Sequence, residues 1–345
     1  MSGVTLPKPL EPAWIRRLPD YLRDLARAPT TGEIAAADAS GILTVLSAEH
    51  GGSRQQAQIS NAPVTALEWP RQDRLIAATD DGTLAIVDPS DSLRIINEVD
   101  VPGLWIEDLA LYDNRVAFCS GRQAFVASLH GEVIWKSPAH DSTVSGVAFI
   151  ANTPLLATSC YGAMRIWNIE TGELHDELSW KGSLFRPHPS PDGGILACGC
   201  QDDSVHFWRL TSGRDSQMSG FPGKPRCLAW SSDSGLLATS SAHAILVWSF
   251  IDGPEGTTPS TLGLNARPIS ALSFHPSEKL LLSGAEDGLL FLWDPTTDDS
   301  PQAMASMFGE VSCVQWASVQ WATQETAFFA GDSQGHLAAY TYLSD

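Results

Sequence analysis

The sequence has few basic residues and no long apolar run. Its 345 residues contain 21 Lys and Arg against 40 Asp and Glu, which gives a formal net charge of −19. Nucleic acid and anionic membranes are held by clustered Lys and Arg, so we expect this chain to bind neither. No segment approaches the roughly 18 consecutive apolar residues of a membrane-spanning helix, and the N-terminus lacks a secretory apolar core. We therefore predict a cytoplasmic protein.

Sequence motifs for metal binding and catalysis are also scarce. HExxH, the Walker A loop and GxGxxG do not occur, and no two His have the spacing of paired metal ligands. The six Cys lie mostly in apolar runs, which favours buried free thiols. Cys198 and Cys200 do not form a CxxC motif, but residues two apart on a strand share one face, so a metal or disulfide there stays an alternative. We predict no cofactor and no bound metal.

What the sequence does contain is a repeat. An apolar run, a turn and a second run of alternating apolar residues recur, most clearly before Trp167, Trp208, Trp248 and Trp293. Weaker copies end at positions 46, 87, 127 and 340, so that successive spacings are 41, 40, 40, 41, 40, 45 and 47 residues. Each unit has room for four antiparallel strands of about five residues. One such sheet cannot bury both of its faces, so we expect neighbouring sheets to pack radially.

With these motifs the chain resembles the WD40-repeat family over about residues 13 to 345. Trp293-Asp294 supplies a Trp-Asp pair, and Ala139-His140 approximates the Gly-His pair that family members often carry before the inner strand. The hairpin turns carry Asp81, Asp203 and Asp287. The resemblance implies an all-β, eight-bladed WD40-type β-propeller, with residues 1–12 as an N-terminal extension and 13–345 as a single propeller domain of eight repeats. It also implies that the four tryptophans pack in blade cores and that His140 makes a structural hydrogen bond.

The two ends of the chain predict how the ring closes. The sequence stops five residues after Tyr340, which leaves the eighth unit without an outermost strand. At the other end, Trp14 to Leu18 precede the first unit and have no unit of their own. We therefore expect the N-terminal strand to complete the last blade and cover an edge that would invite aggregation. Seven blades, with the first unit packed outside, is the alternative.

One face of such a ring collects the candidate binding residues. The loops into units five, six and seven carry Lys181, Lys224 and Arg267, and five further residues follow or interleave on the same arc: Arg186, Arg226, Trp180, Phe221 and Phe308. Trp105 is a candidate contact across the ring. Aromatic residues and Arg are enriched at interface hot spots, so we predict a rim for an acidic or phosphorylated peptide or an acidic partner loop. In the alternative, the cations balance carboxylates such as Asp202, Asp203 and Glu310.

These features favour a non-catalytic scaffold or adaptor that binds a partner protein through the propeller rim. The alternatives are an accessory or assembly factor for a metalloenzyme or GTPase, and a small-molecule-binding propeller enzyme. For an enzyme, His188, Glu68 and Glu107 are the titratable residues expected near the central channel, and they would have to converge on one pocket.

Overall fold

The computed structural model describes residues 7–101, 105–151, 153–263, 265–297, 301–317 and 326–343. Within these ranges the chain forms 33 β-strands arranged in eight sheets. No helix among these residues is long and apolar enough to cross a membrane.

Each blade takes its strands from one stretch of sequence, innermost strand first, except where the N-terminus contributes. Blade 1 consists of β3 (Leu22–Arg27), β4 (Glu33–Asp38), β5 (Ile42–Ser47) and β6 (Ser53–Gln58), and blade 2 of β7 (Val64–Arg71), β8 (Arg74–Thr79), β9 (Thr83–Asp88) and β10 (Arg94–Asp100). Blade 3 consists of β11 (Ile106–Tyr112), β12 (Arg115–Ser120), β13 (Gln123–Ser128) and β14 (Val133–Lys136), and blade 4 of β15 (Gly146–Phe149), β16 (Leu155–Ser159), β17 (Tyr161–Asn168) and β18 (Glu173–Ser183).

Blades 5 to 8 follow the same order, and two N-terminal strands join blades 7 and 8. Blade 5 consists of β19 (His188–Pro189), β20 (Ile195–Cys200), β21 (Ser204–Arg209) and β22 (Arg214–Met218), and blade 6 of β23 (Leu228–Trp230), β24 (Leu236–Ser241), β25 (Ala244–Ser249) and β26 (Ser260–Leu262). Blade 7 consists of β27 (Ile269–Phe274), β28 (Leu281–Ala285), β29 (Leu289–Trp293) and β30 (Ala303–Ser306), with β1 (Lys8–Pro9) outside. Blade 8 consists of β31 (Val311–Trp316), β32 (Thr326–Asp332) and β33 (His336–Tyr342), with β2 (Pro12–Arg17) outermost.

The blades form a closed ring around a central channel. Each innermost strand contacts the innermost strand of the next blade, and β31 of blade 8 meets β3 of blade 1. The eight-bladed propeller is therefore confirmed, and the seven-bladed alternative with an external first unit is wrong. The first unit has weak motifs, yet its third strand is buried against blade 2, where Leu43 and Val45 pack with Leu75.

The N-terminal strand closes the ring as predicted. β2 pairs antiparallel with β33, and Trp14 lies opposite Ala339. Trp14 is buried and its Nε1–H donates to the carbonyl of Ala48 at 2.8 Å, which ties the last blade to the first. Residues ahead of this strand also pair: Lys8 and Pro9 form β1, which runs parallel to β30 on the outside of blade 7. The sequence did not indicate that additional strand.

The core lies between blades and contains the predicted aromatic residues. Trp167, Trp208, Trp248 and Trp293 are all buried. All six cysteines are free, and all but Cys227 are fully buried, so they pack as small apolar side chains. His140 has no exposed surface, and its Nε2 lies 2.9 Å from the Thr158 hydroxyl, as expected for a structural hydrogen bond.

Candidate functional site

One face of the ring gathers two kinds of connection, and we call it the upper face. It comprises the loops from each outermost strand to the next innermost strand and the turns between the second and third strands of each blade. Backbone bonds hold the two together: His140 N–H donates to Arg122 O at 2.8 Å, and Ile59 N–H to Gly41 O at 3.0 Å. Ala266 N–H donates to the Asp287 carboxylate at 3.1 Å. The loops and turns thus form one continuous surface around the channel mouth.

Four of the predicted cations are exposed on this face. Lys181 lies near the end of β18, while Lys224, Arg226 and Arg267 lie in the connections that precede β23 and β27. Among the described residues, none of the four has a carboxylate within ion-pair distance. Lys181 Nζ lies 5.7 Å from the Trp180 ring centre, and the Arg226 guanidinium 5.6 Å from that of Phe185. We call these four residues the basic arc.

Arg186 has a different environment from the basic arc. Its Nη1 lies 3.0 Å from the Asp108 carboxylate, and its Nη2–H donates to the carbonyl of Leu109 at 3.3 Å. It also lines a cavity in the central channel together with Asp24 and Glu68. Arg186 therefore neutralises a channel carboxylate, and the rim role predicted for it has no support in these contacts.

The predicted aromatic residues divide into packed and exposed members. Trp180 stacks on His206, with ring centres 3.7 Å apart, and Phe221 is buried against Trp248. Phe308 is 63% exposed and Trp105 is 47% exposed. Trp180 and Phe221 therefore support the upper face, while Phe308 and Trp105 lie on it.

Sequence reasoning missed one exposed aromatic residue, Tyr161. It is 62% exposed and lies at the start of β17, where its backbone N–H donates to the Ser142 hydroxyl at 2.9 Å. The available signal was its place in the turn between the second and third strands of blade 4, which is part of the upper face in this architecture. It adds an aromatic side chain to the blade that also carries Lys181.

The channel wall contains two aspartates in equivalent positions, and of these the sequence analysis missed Asp24. Asp24 accepts the N–H of Leu25 and, across the blade boundary, that of Leu67 at 2.8 Å. Asp108 likewise accepts the N–H of Leu109 and that of Val147 in the next blade at 3.1 Å. Both aspartates precede Leu-Ala in the sequence, a tripeptide recurrence that could have identified them. Each one links neighbouring innermost strands.

Carboxylates in the channel have shifted pKa values. Burial raises the pKa of Glu68 to about 7, and the charge of Asp24 adds to the effect. Burial raises the pKa of Asp24 to about 6 even though two backbone amides bond it. These two side chains and Arg186 line a cavity of about 420 Å³. Both carboxyls are thus partly protonated near neutral pH.

In the described part of the channel, Glu68 and His188 do not meet in one cavity, although an enzyme hypothesis requires it. Glu68 lines the cavity but His188 does not, and burial beside Arg186 lowers the pKa of His188 to about 3. The side chain of Glu107 lies outside the described residues. Within the described ranges, no three His, Cys, Asp or Glu side chains are grouped as metal ligands. A GxSxG match at residues 331–335 forms a turn between β32 and β33, not the strand-to-helix elbow of a nucleophilic serine.

A closed ring of four-stranded antiparallel blades places the chain among the β-propeller proteins. Within that class, the profile of the family described as "WD domain, G-beta repeat" matches residues 131–168, 186–209, 216–249 and 257–294. The chain contains WD40 repeats in these four stretches, which confirms the resemblance that its motifs carried.

Known relatives match parts of the chain, and a solved structure matches its fold. Nuclear distribution protein PAC1 of Coccidioides posadasii is 28% identical over 218 residues, which cover 52% of this chain and 45% of that protein. Nuclear distribution protein nudF of Aspergillus niger is 26% identical over 207 residues, 52% of this chain and 46% of that protein. The chain thus matches just under half the length of these relatives. Saccharomyces cerevisiae Sqt1 has a TM-score of 0.82 at 12% identity over the whole of both chains, a likeness of fold alone.

Proposed function

We propose that this WD40-repeat protein is a non-catalytic scaffold whose upper face binds an acidic or phosphorylated segment of a partner protein. The observation that carries the proposal is the basic arc. Its cations are exposed on consecutive blade connections, and no carboxylate of the described residues neutralises them. Elsewhere, cations such as Arg165 and Arg209 are held by carboxylates at 2.5 to 2.9 Å.

The arc is unusual because the chain as a whole is acidic. With a net charge of −19, an acidic partner is repelled by most of the surface and attracted only where cations are concentrated. A single exposed ion pair contributes only about 0.2–1 kcal/mol, so several cations must act together. Arg226 and Arg267 add guanidinium groups, which can bond a phosphate through two parallel N–H donors.

Exposed aromatic side chains give the same face an apolar component. Phe308 lies beside the ring of His336, and Tyr161 adjoins the connection that carries Lys181. A segment that combines acidic groups with an apolar side chain would contact both features. Membership of the WD40-repeat family supports a protein-binding role, and the free cysteines support a cytoplasmic location.

The test compares two triple variants with the same change of charge. Lys181→Glu/Lys224→Glu/Arg267→Glu reverses three of the four cations of the basic arc, and Arg54→Glu/Arg71→Glu/Arg94→Glu reverses three exposed cations of blades 1 and 2. Binding to fluorescent acidic and phosphoserine-containing peptides is measured by anisotropy at two salt concentrations, and affinity capture from a lysate is compared for the three proteins. We expect the arc variant to lose at least tenfold in affinity and the control to retain binding.

Two results would contradict the proposal. Equal loss in both variants would show that net charge, not the arc, governs binding. Undiminished binding in the arc variant would place the partner on another surface. Both variants must retain the wild-type thermal transition, since all six substituted side chains are largely exposed.

A further inference from the structure

The boundary between blades 5 and 6 contains a cavity on the circumference of the ring. The outermost strand of blade 6, β26, has three residues, and it pairs with Ile245 to Val247 only. The third strand continues to Trp248 and Ser249, beyond that pairing. The following segment, through Pro254 to Thr257, faces β22 of blade 5 across a cavity of about 220 Å³.

The cavity has an apolar floor and a buried donor without a partner. Phe207, Met218 and Trp248 line it and are 1%, 5% and 7% exposed. The indole Nε1–H of Trp248 is buried and has no acceptor among the described residues. By contrast, Trp167 and Trp293 donate theirs to the hydroxyls of Thr158 and Ser283. A buried N–H without a bond is destabilising, so an acceptor brought by a ligand would be favoured here.

The boundary between blades 7 and 8 shows how such a groove is filled. There the chain's own N-terminal segment lies along the outer edge of blade 7, with Lys8 N–H donating to Gln302 O at 3.2 Å and Leu10 N–H to Met304 O at 2.7 Å. Leu10 packs against the core between the two blades, which includes Tyr340 and Phe328. An extended segment with one apolar side chain thus occupies this boundary.

Strand register makes the two boundaries equivalent. Ala303 lies opposite Leu292, one residue before Trp293, and Ser216 lies opposite Phe207, one residue before Trp208. Met304 of blade 7 therefore corresponds to Gln217 of blade 5. Since the Met304 carbonyl faces outward to Leu10, the Gln217 carbonyl and N–H are expected to face outward as well. In the described part of the chain, the outer edge of β22 has no strand beside it.

We propose that the outer edge of blade 5 binds an extended peptide segment of a partner protein as a fifth, parallel strand, with one apolar side chain in the cavity floored by Phe207, Met218 and Trp248. The peptide takes the place that residues 8–10 take on blade 7. A cavity of about 220 Å³ suits one side chain and is smaller than the roughly 300–1,000 Å³ of small-molecule sites. This surface is separate from the basic arc and does not depend on it.

Charge at the other end of β22 specifies a second feature of the peptide. A polar groove continues from the cavity past Ser216 to Arg209 and Arg214. Glu255 already holds Arg209 through two contacts, at 2.5 and 2.8 Å, whereas Arg214 is exposed and has no ion pair among the described residues. In the parallel register, the residue opposite Arg214 lies four positions before the apolar anchor. A carboxylate at that position is therefore preferred.

The probe is the acetylated peptide Glu-Pro-Lys-Pro-Leu-Glu-Pro, which copies residues 7–12 behind an added glutamate. Its binding to the full chain is followed by fluorescence anisotropy and by the indole N–H signal of Trp248, assigned with Trp248→Phe. We expect the Trp248 signal to shift. Replacing the peptide's leucine by alanine should weaken binding at least tenfold, because the buried apolar side chain is lost. Replacing its first glutamate by lysine should weaken binding about threefold, as for an exposed ion pair.

Variants of the protein separate strand addition from simple pocket binding. Met218→Trp fills the cavity and should abolish binding. The control is Ile134→Trp, which adds a similar volume on the exposed outer strand of blade 3 and should leave binding unchanged. Gln217→Pro removes the outward N–H, a change that an edge strand tolerates, and should weaken binding at least tenfold.

Several results would overturn the proposal. These are no shift of the Trp248 signal at millimolar peptide, equal binding of the alanine peptide, or binding unaffected by Gln217→Pro. Equal binding of the isolated amide 4-methylpentanamide would show a small-molecule pocket instead. The peptide-side substitutions leave the protein unchanged, so they remain decisive if a protein variant fails to fold.

Discussion

Blades 4 and 6 place a tryptophan at the same position of the third strand, and 6% of Trp167 and 7% of Trp248 are exposed. In blade 4 the indole N–H donates to the Thr158 hydroxyl at 3.1 Å, which also lies 2.9 Å from His140 Nε2. Both hydroxyls also donate to a carbonyl of the third strand, Thr158 to Arg165 O and the corresponding Thr239 to Leu246 O. In blade 6 a phenylalanine contacts the tryptophan where blade 4 has the histidine. The Trp248 N–H has no partner in the described structure.

This difference shows that equal burial does not mean an equal role. In blade 4 the polar atoms satisfy one another, so the tryptophan is part of a rigid blade core. In blade 6 the same side chain borders a cavity and keeps a hydrogen-bonding group unused. The repeat motif predicts the apolar packing of both tryptophans but not which one retains a free donor.

The largest expected effect comes from the hydroxyl that distinguishes the two blades. Thr158→Val leaves His140 Nε2 and the Trp167 N–H without their buried partner, and should lower the free energy of unfolding by about 3 kcal/mol. Thr239→Val removes a single bond to a carbonyl and should cost about 1 kcal/mol. Urea denaturation of both variants measures the difference. Equal losses would show that the network of blade 4 is not special.

The channel offers a similar comparison between two buried carboxyl groups, one with backbone hydrogen bonds and one without. Asp24 accepts two backbone N–H groups, whereas the Glu68 carboxylate accepts none from the described residues, and its pKa is raised to about 7 from an ordinary 4.5 by burial and by the Asp24 charge. The folded state therefore holds the Glu68 proton more tightly than the unfolded chain, and stability falls as pH rises from about 4.5 to 7.

Glu68→Gln removes this dependence, because the amide does not ionise. We expect the variant to be about 2 kcal/mol more stable than the wild type at pH 8 and nearly equal at pH 4. The charges of Asp24 and Asp108 raise the pKa of Glu68, and that of Arg186 lowers it. Because the pKa of Asp24 is itself raised to about 6, the stability of the variant still changes with pH below about 6. Thermal denaturation across this pH range is the measurement. A variant curve parallel to the wild-type curve would contradict the assignment.

The smallest expected effect is the difference in stability between two variants that each remove one indole group. Trp167→Phe and Trp248→Phe remove similar volume, so the difference between them reports the hydrogen bond to Thr158. We expect Trp167→Phe to be about 1 kcal/mol more destabilising. Calorimetric unfolding of the two variants measures it, and a larger loss in blade 6 would mean that the Trp248 N–H has a partner after all.

Much of the fold was predictable because the repeat is local. The period near 40 residues, the aromatic end of each third strand and the unmatched Trp14 predicted eight blades and their closure, and the contacts of the first unit with blade 2 then excluded seven. β1 was not predictable, since Lys8 and Pro9 form a strand only by pairing with β30, almost 300 residues away in the sequence. No local pattern indicates such a contact.

The candidate site was predictable only in part, for a similar reason. Lys181, Lys224, Arg226 and Arg267 are exposed on the expected face because blade connections lie there in any propeller. Arg186 was placed with them, but its partner Asp108 comes from a blade two positions earlier and meets it only in the channel. The sequence places Phe221 in a surface loop, but in the structure its ring packs against that of Trp248 and is buried.

The sequence by itself determined the repeat period, the order of strands and the face on which the cations lie, because each depends on spacing along one chain. Only the tertiary structure decided which side chains are neutralised, which carboxylates hold a proton near neutral pH and which blade boundary is left open. These properties depend on distances between residues of different blades, and such distances exist only once the ring has closed.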